Sequence, residues 1–249
     1  MRKKPFIILV VLLLIPILLN AKAVIKGTGK VIISMTPPSI TDGLVGYWTF
    51  DGKDMAGGKA LDKSGNGNHG SPVSIATSTF YTSGKIGQGL KFDGVDDKVT
   101  VPLTATLNPS SITVAFWANV PSYIGSTNNA IVELGSSVNN FRVRDTSGKW
   151  QLLTNGAVNT LSGTANSLAY DQWIHWVFIA NSSGLSIYKN GVLNASNAIA
   201  YTAGANAIWN LGSSGFYNRQ TLDDVRIYNR ALSATEIRQL YNNGKVMRK

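Results

Sequence analysis

Two segments at opposite ends of the chain constrain the fold most. Gly46-Tyr47-Trp48-Thr49-Phe50-Asp51 lies near the start and Leu222-Asp223-Asp224-Val225-Arg226-Ile227-Tyr228 near the end. Each sets an alternating, strand-like apolar pattern beside acidic groups and turn formers. The turn formers are Asp62-Lys63-Ser64-Gly65-Asn66-Gly67-Asn68-His69-Gly70 after the first segment and Asn229-Arg230-Ala231-Leu232-Ser233 after the second. The pattern predicts that the earliest and latest β segments lie side by side and enclose the chain between them.

From Leu44 onward, short β-type runs are separated by Gly, Asn, Asp and Ser. Trp48 and Phe50 share one face of the first strand. Trp173-Ile174-His175-Trp176-Val177-Phe178-Ile179 carries apolar groups on both faces, as a strand inside a sandwich does, and Leu185 and Ile187 point one way. Asn190-Gly191 between β-type residues predicts a type I′ hairpin turn. Further strands are expected at Lys91–Phe92 with Lys98–Val101, Thr113–Asn119, Ala130–Leu134, Phe141–Arg144, Trp150–Thr154 and Ala207–Leu211. A single helix is predicted, with Ser233 as its cap, Glu236 completing a capping box, an apolar stripe of Ile237, Leu240 and Tyr241, and Asn242-Asn243-Gly244 as its stop. Short strands in this number, with no helical pattern between them, predict an all-β fold: a two-sheet antiparallel sandwich with one short C-terminal helix.

The chain has no cysteine, which excludes disulfides, thiolate metal sites, a cysteine nucleophile and a lipid attached through an N-terminal cysteine. Its net charge of +10 suggests nucleic acid until the charges are located. Between residues 44 and 243, 14 Lys and Arg face 12 Asp and Glu, so the excess sits at the two ends. A body without a basic stripe predicts no nucleic-acid partner. Residues 1–23 read as a signal peptide: Arg2-Lys3-Lys4, an apolar run from Pro5 to Leu19, then Ala21-Lys22-Ala23 at the cleavage positions. The alternative is an uncleaved N-terminal anchor, the chain's only expected membrane contact. Either reading places the body outside the cytoplasm, secreted or on the cell surface. Residues 24–43, with Pro37-Pro38, read as a linker, 44–243 as the folded domain and 244–249 as a basic tail.

Over residues 44–243 the motifs resemble, in order, the laminin-G-like jelly rolls of secreted bacterial proteins. They are Tyr47-Trp48-Thr49-Phe50-Asp51, the 62–70 loop, Gly87 to Asp97, Ser111-Ile112-Thr113-Val114-Ala115-Phe116-Trp117, Trp173 to Val177, Tyr188-Lys189-Asn190-Gly191 and Asp223 to Leu232. The resemblance extends to the wider concanavalin A-like lectin and glucanase group. It implies a jelly-roll sandwich, an extracellular binding role and, in many members, a structural calcium where the first and last strands meet. The matching positions are Asp51 and Asp223 or Asp224, with loop oxygens from Asp62, Asn66 and Asn68. Ca²⁺ takes six to eight hard oxygens at about 2.3–2.6 Å, and these residue types supply them. Equally, Asp62, Asn66 and Asn68 build turns beside Gly65, Gly67 and Gly70 without any metal. Asp223 shares a strand face with Val225 and Ile227, which predicts an inward carboxylate in need of a partner: metal, backbone amide or Arg.

Glycoside hydrolases of this fold group work with two carboxylates about 5–10 Å apart. The chain has two Glu: Glu236 opens the helix, and Glu133 stands in Ile131-Val132-Glu133-Leu134-Gly135 with no acid two or three residues on. The expectation is therefore no catalytic residues and no enzyme. His175 is expected to be a packed strand residue and His69 a turn residue. Trp150, Trp209, Phe216 and Tyr217 lie at strand or loop edges in polar surroundings and are the candidate ligand contacts, since sugar rings stack on exposed aromatics. Two functions are predicted: a lectin-like module for carbohydrate or a cell-surface protein, or a structural display domain with protein partners and no small ligand.

Overall fold

The chain divides into two units, Met1–Ser39 and Ile40–Lys249. The structure, a computed structural model, describes residues 21–26, 30–35, 39–75, 81–121, 129–134, 141–146, 149–155, 159–164, 169–204, 208–212 and 219–246. In the first unit, β1 (Ala21–Lys26) pairs antiparallel with β2 (Lys30–Met35), from Ala21 opposite Met35 to Lys26 opposite Lys30. Part of the stretch read as a linker, 24–26 and 30–35, is thus paired strand, which β-branched Val24, Ile25, Val31, Ile32 and Ile33 favour. The apolar run of the leader and Pro37-Pro38 lie outside the described residues. Among the described residues no helix is long and apolar enough to cross a membrane.

The second unit opens with β3 (Leu44–Trp48), a 3₁₀ turn at Gly52–Asp54, and the short strands β4 (Met55–Ala56) and β5 (Lys59–Ala60). Next come β6 (Ser71–Val73), β7 (Tyr81–Ser83), β8 (Gln88–Asp93), β9 (Lys98–Pro102) and β10 (Ile112–Asn119). β11 (Asn129–Leu134), β12 (Phe141–Thr146), β13 (Lys149–Thr154) and β14 (Asn159–Ser162) follow. β15 (Trp173–Asn181), β16 (Gly184–Lys189), β17 (Val192–Asn197), β18 (Ile208–Gly212), β19 (Arg219–Tyr228) and helix α1 (Ala234–Val246) complete the unit.

Two antiparallel sheets form the sandwich. The eight-stranded sheet runs β17-β16-β15-β10-β19-β8-β7, with β3 also paired to β19; the seven-stranded sheet runs β14-β13-β12-β11-β18-β9-β6. The expected union of the strand at Tyr47-Trp48 with the last strand is present, as β3 against β19: Trp48 stands opposite Val225 and Gly46 opposite Ile227. β10 covers the other edge of β19, so β3 and β8 lie end to end along one edge, meeting near Asp223 and Asp224. Between the sheets Trp48, Phe92, Phe116, Trp150, Trp176, Phe178 and Trp209 are buried in one cluster, and ring contacts such as Trp150–Trp176 at 5.6 Å tie the layers together. Asn190 (φ 50°) and Gly191 (φ 81°) form the left-handed pair that a type I′ turn between β16 and β17 requires.

The outer face of the eight-stranded sheet is covered by α1, whose Ile237 and Leu240 pack on Ala115, Val177, Ile179 and Tyr228. The capping box forms as read: Ser233 Oγ accepts the Glu236 N–H at 3.3 Å, and Glu236 Oε2 accepts the Ser233 N–H at 2.8 Å. Asn242-Asn243-Gly244 does not stop the helix, which continues to Val246 and so takes in the first residues read as a tail. Gly244 serves close packing instead, since a Cβ there would lie 2.5 Å from Trp117 Cζ2. The saved space lets the helix settle onto the indole.

Candidate functional site

With one outer face under α1, the hydrogen-bonding surface of the sandwich is the outer face of the seven-stranded sheet. Phe141, Val143, Trp150, Leu152, Leu161, Trp209, Leu211, Val99 and Val101 point into the core. Strand alternation therefore turns the residues between them outward. Cross-strand register aligns Thr160, Leu153, Arg142, Glu133, Asn210, Thr100 and Ser71 in one row. Ser162, Gln151, Arg144 and Ala130 make a second row beside it. Arg142 Nη2 sits 2.7 Å from Glu133 Oε1. Arg144 Nε donates to Gln151 Oε1 at 2.9 Å, and Gln151 Nε2 donates to Ser162 Oγ at 2.9 Å. Burial, with the neighbouring Arg142 charge, holds the Arg144 guanidinium below its ordinary pKa. Glu133, Leu153, Asn210 and Ala130 are buried within this band, while Arg142, Arg144, Gln151, Thr160, Ser162 and Thr100 keep partial exposure. These guanidinium, amide and hydroxyl groups can engage hydroxyl-rich or anionic ligands through several simultaneous hydrogen bonds.

The aromatic candidates lie elsewhere. Trp150 and Trp209 are both fully buried, which corrects their placement at exposed edges. Each alternates onto the core face of its strand, and Trp209 Nε1 is already spent on Leu107 O at 3.0 Å. Polar sequence neighbours misled the reading, because a strand with one wet face has a polar residue on either side of every buried one. Phe216 and Tyr217 lie outside the described residues. Sequence reasoning missed Arg142, Arg144, Gln151 and Asn210; alternation within the 141–144 and 150–154 strands was the signal that marks them.

The calcium candidates gather at the junction of β3, β8 and β19, where they divide into two sets. Asp62 is a turn organiser. Its Oδ1 accepts the Tyr47 N–H (2.9 Å) and Ser64 N–H (2.8 Å), and its Oδ2 accepts Ser64 Oγ (2.8 Å) and the Asn68 N–H (2.9 Å). Asn66 Nδ2 donates to Leu44 O at 3.0 Å and Asn68 Nδ2 to Val45 O at 2.7 Å, so both amides lace the loop to β3. Asp224 takes the Tyr47 hydroxyl on Oδ1 and Arg226 Nη1 at 2.7 Å on Oδ2. The 62–68 loop and Asp224 thus already hold the hydrogen bonds and ion pair of the turn alternative.

Asp51 and Asp223 differ. Asp224, at φ 57°, forms a bulge against β10, with the register slipping between Ala115 and Trp117. The bulge reverses the expected direction of Asp223: it pairs with Trp117 on the outer face, away from Val225 and Ile227 in the core. Asp223 is 1% exposed; its Oδ2 accepts the Ile86 N–H at 2.7 Å, and its Oδ1 is buried with no hydrogen-bond partner among the described residues. Burial above all, with Asp224 and Asp51 adding repulsion, pushes the Asp223 carboxyl up to about 8. Asp51 Oδ1 accepts the Gln88 N–H at 2.7 Å. Gly84 and Gly87 leave the space above, since their Cβ atoms would stand 2.7 Å from Asp223 Oδ2 and 2.4 Å from Asp51 Oδ1. An orphaned buried carboxylate oxygen beside a second carboxylate suits a cation, so these two residues fit one.

His175 is buried against Trp117, with ring centroids 5.1 Å apart, and burial foremost, with Arg226, pushes it down to about 3. Such an imidazole stays neutral and carries no proton traffic. His69 Nδ1 accepts the Asp62 N–H at 3.0 Å within the turn. Asp93, Asp96 and Asp97 also lie together; Asp97 Oδ2 accepts the Asp93 N–H and Asp93 Oδ1 accepts the Val95 N–H within the β8–β9 turn.

Residues 93–238 match the family model of the concanavalin A-like lectin/glucanases superfamily. No curated protein sequence matches the chain. Among solved structures, the binding domain of Paraclostridial Mosquitocidal Protein 1 aligns with a TM-score of 0.63 at 18% identity, over 82% of this chain and 53% of that one. Trypanosoma rangeli sialidase aligns with a TM-score of 0.65 at 17% identity, over 84% and 34%. The receptor binding domain of botulinum neurotoxin C/D mosaic serotype gives 0.65 at 16% identity, over 82% and 52%. The chain thus spans about half, or about a third, of the length of these proteins, and at such identity the likeness is one of fold.

Proposed function

The chain belongs to the concanavalin A-like lectin/glucanase superfamily, and from that premise we propose that it is a non-catalytic glycan-recognition module working outside the cytoplasm. The observation that carries this reading is the outward band of Arg142, Arg144, Gln151, Thr100 and Thr160 on the seven-stranded sheet. Its groups match the donors and acceptors of sugar hydroxyls. Against hydrolysis, the one glutamate in the band is paired with Arg142, while the two-carboxylate mechanism needs an acid of raised pKa facing a second carboxylate. The signal-like leader supports a secreted or surface location. At the strand junction, Asp51 and Asp223 would hold a structural calcium, whose charge would offset the repulsion there and tie β19 to the 84–88 turn. Printing the purified protein against an array of immobilised glycans tests the reading. Binding to a restricted set without release of reducing ends is expected. Binding to none of them, or cleavage, overturns it.

A second reading, a display domain with a protein partner, rests on β17. This edge strand exposes Val192 at 67% and Leu193 at 51%, and an open apolar edge suits strand addition by another chain. A blank glycan array, together with a protein partner lost on Leu193→Lys, would favour it.

A further inference from the structure

Resting on the glycan-recognition reading, we infer that the band selects acidic saccharides, with Arg144 reading the carboxylate of a carboxylate-bearing pyranose. β12 holds Arg142 and Arg144 two residues apart on one face, about 7 Å from each other along the strand. Two guanidiniums at this spacing on a half-buried surface repel one another, and one acid, Glu133, accompanies them in the two rows. That acid is spent on Arg142. Arg144 has no carboxylate partner among the described residues. Among the described residues its hydrogen bond is to Gln151 Oε1, which accepts from Nε and leaves the Nη edge to meet an incoming group.

This is a directional arrangement. The Arg144–Gln151–Ser162 chain fixes the guanidinium plane through Nε, and a planar carboxylate can then take two parallel N–H···O bonds from the Nη edge. The neighbour opposite Arg144 on β11 is Ala130, whose buried side chain adds no charge or hydrogen-bonding group beside the guanidinium. Burial first and the Arg142 charge second depress the Arg144 pKa, and an arriving anion offsets both. Neutral hydroxyls of the same ring would meet Gln151, Thr160 and Ser162 nearby. Neutral polysaccharide has nothing to set against the second arginine, so it pays the desolvation of that cation without a return.

The test uses the full protein and calorimetric titration with a hyaluronan octasaccharide, sialyllactose, the carboxyl-reduced form of the hyaluronan octasaccharide, and a sulfated glycan free of uronate. The two carboxylate sources are separated by which of the first two binds. Carboxyl reduction is expected to weaken binding at least tenfold, and Arg144→Gln to weaken the native ligand about ten- to a hundredfold and the reduced one by far less. Arg144→Lys should recover part of the loss. If the Gln variant melts early, the wild-type comparison of native and reduced ligand still decides. Equal binding of native and reduced oligosaccharide, or a preference for the sulfated glycan, overturns the assignment and leaves glycan recognition standing. Failure to bind any of these or any arrayed glycan removes both.

Discussion

Arg142 Nη2 lies 2.7 Å from Glu133 Oε1 across the β11–β12 pair, with the two side chains only 16% and 3% exposed. Charges this far out of water depend on each other, because removing one strands the other in a medium that solvates it poorly. Glu133→Leu is therefore expected to cost about 3 kcal/mol in urea unfolding, and Glu133→Leu with Arg142→Leu to recover most of that. A single variant as stable as the parent would show that the pair contributes little.

Asp62 accepts four hydrogen bonds within one loop, from Tyr47, Ser64 twice and Asn68. Asp62→Ala leaves several buried donors unmet and should cost about 3 kcal/mol by chemical denaturation, without altering any response to calcium. Asp62→Asn is expected to be only a partial replacement, because its NH₂ group would face donors. If Asp62→Ala instead abolishes a calcium response, the loop is part of the metal site.

Asp51 and Asp223 make the opposite prediction. Saturating calcium should raise the melting temperature by about 5 °C or more through preferential binding to the native state, and EDTA should reverse it. Asp223→Asn should erase the shift while removing the repulsion with Asp224 and Asp51 in metal-free protein. A melting temperature indifferent to both calcium and EDTA would take the ion away from this junction.

Glu236 supplies the acid limb of stability. Burial by itself would raise its carboxyl, but hydrogen bonds from Arg230 and Ser233, with the Arg230 charge, outweigh it and hold the group below the ordinary glutamate value. A carboxyl depressed in the folded state stabilises fully above its unfolded pKa of about 4.3 and loses that contribution as pH falls through the folded value. Denaturation midpoints measured from pH 6 to pH 2 should fall less steeply in Glu236→Gln than in the parent. Parallel curves would exclude Glu236 as a source of the acid sensitivity.

Much of the architecture was legible because it is local. Alternation in Tyr47-Trp48-Thr49 and Val225-Arg226-Ile227, the Asn190-Gly191 turn and the Ser233–Glu236 box each record their geometry within a few residues. The errors fell where a distant contact overrode the local signal. Gly244 reads as a helix stop until Trp117 is found against it. Trp150 and Trp209 read as edge aromatics until their strands are set in register and the core claims them. Asp223 reads as inward until the bulge at Asp224 turns it over.

By itself the chain of residues determined that this protein is an antiparallel sandwich whose ends meet, since period, turn chemistry and capping act over short spans. Only the tertiary structure decided which side chains stand together on the outward band. Thr160, Arg142, Glu133, Asn210 and Thr100 come from five strands whose register is set by the packing of the whole core. Such a surface is a property of pairing between segments remote in sequence, and no single segment holds a record of it.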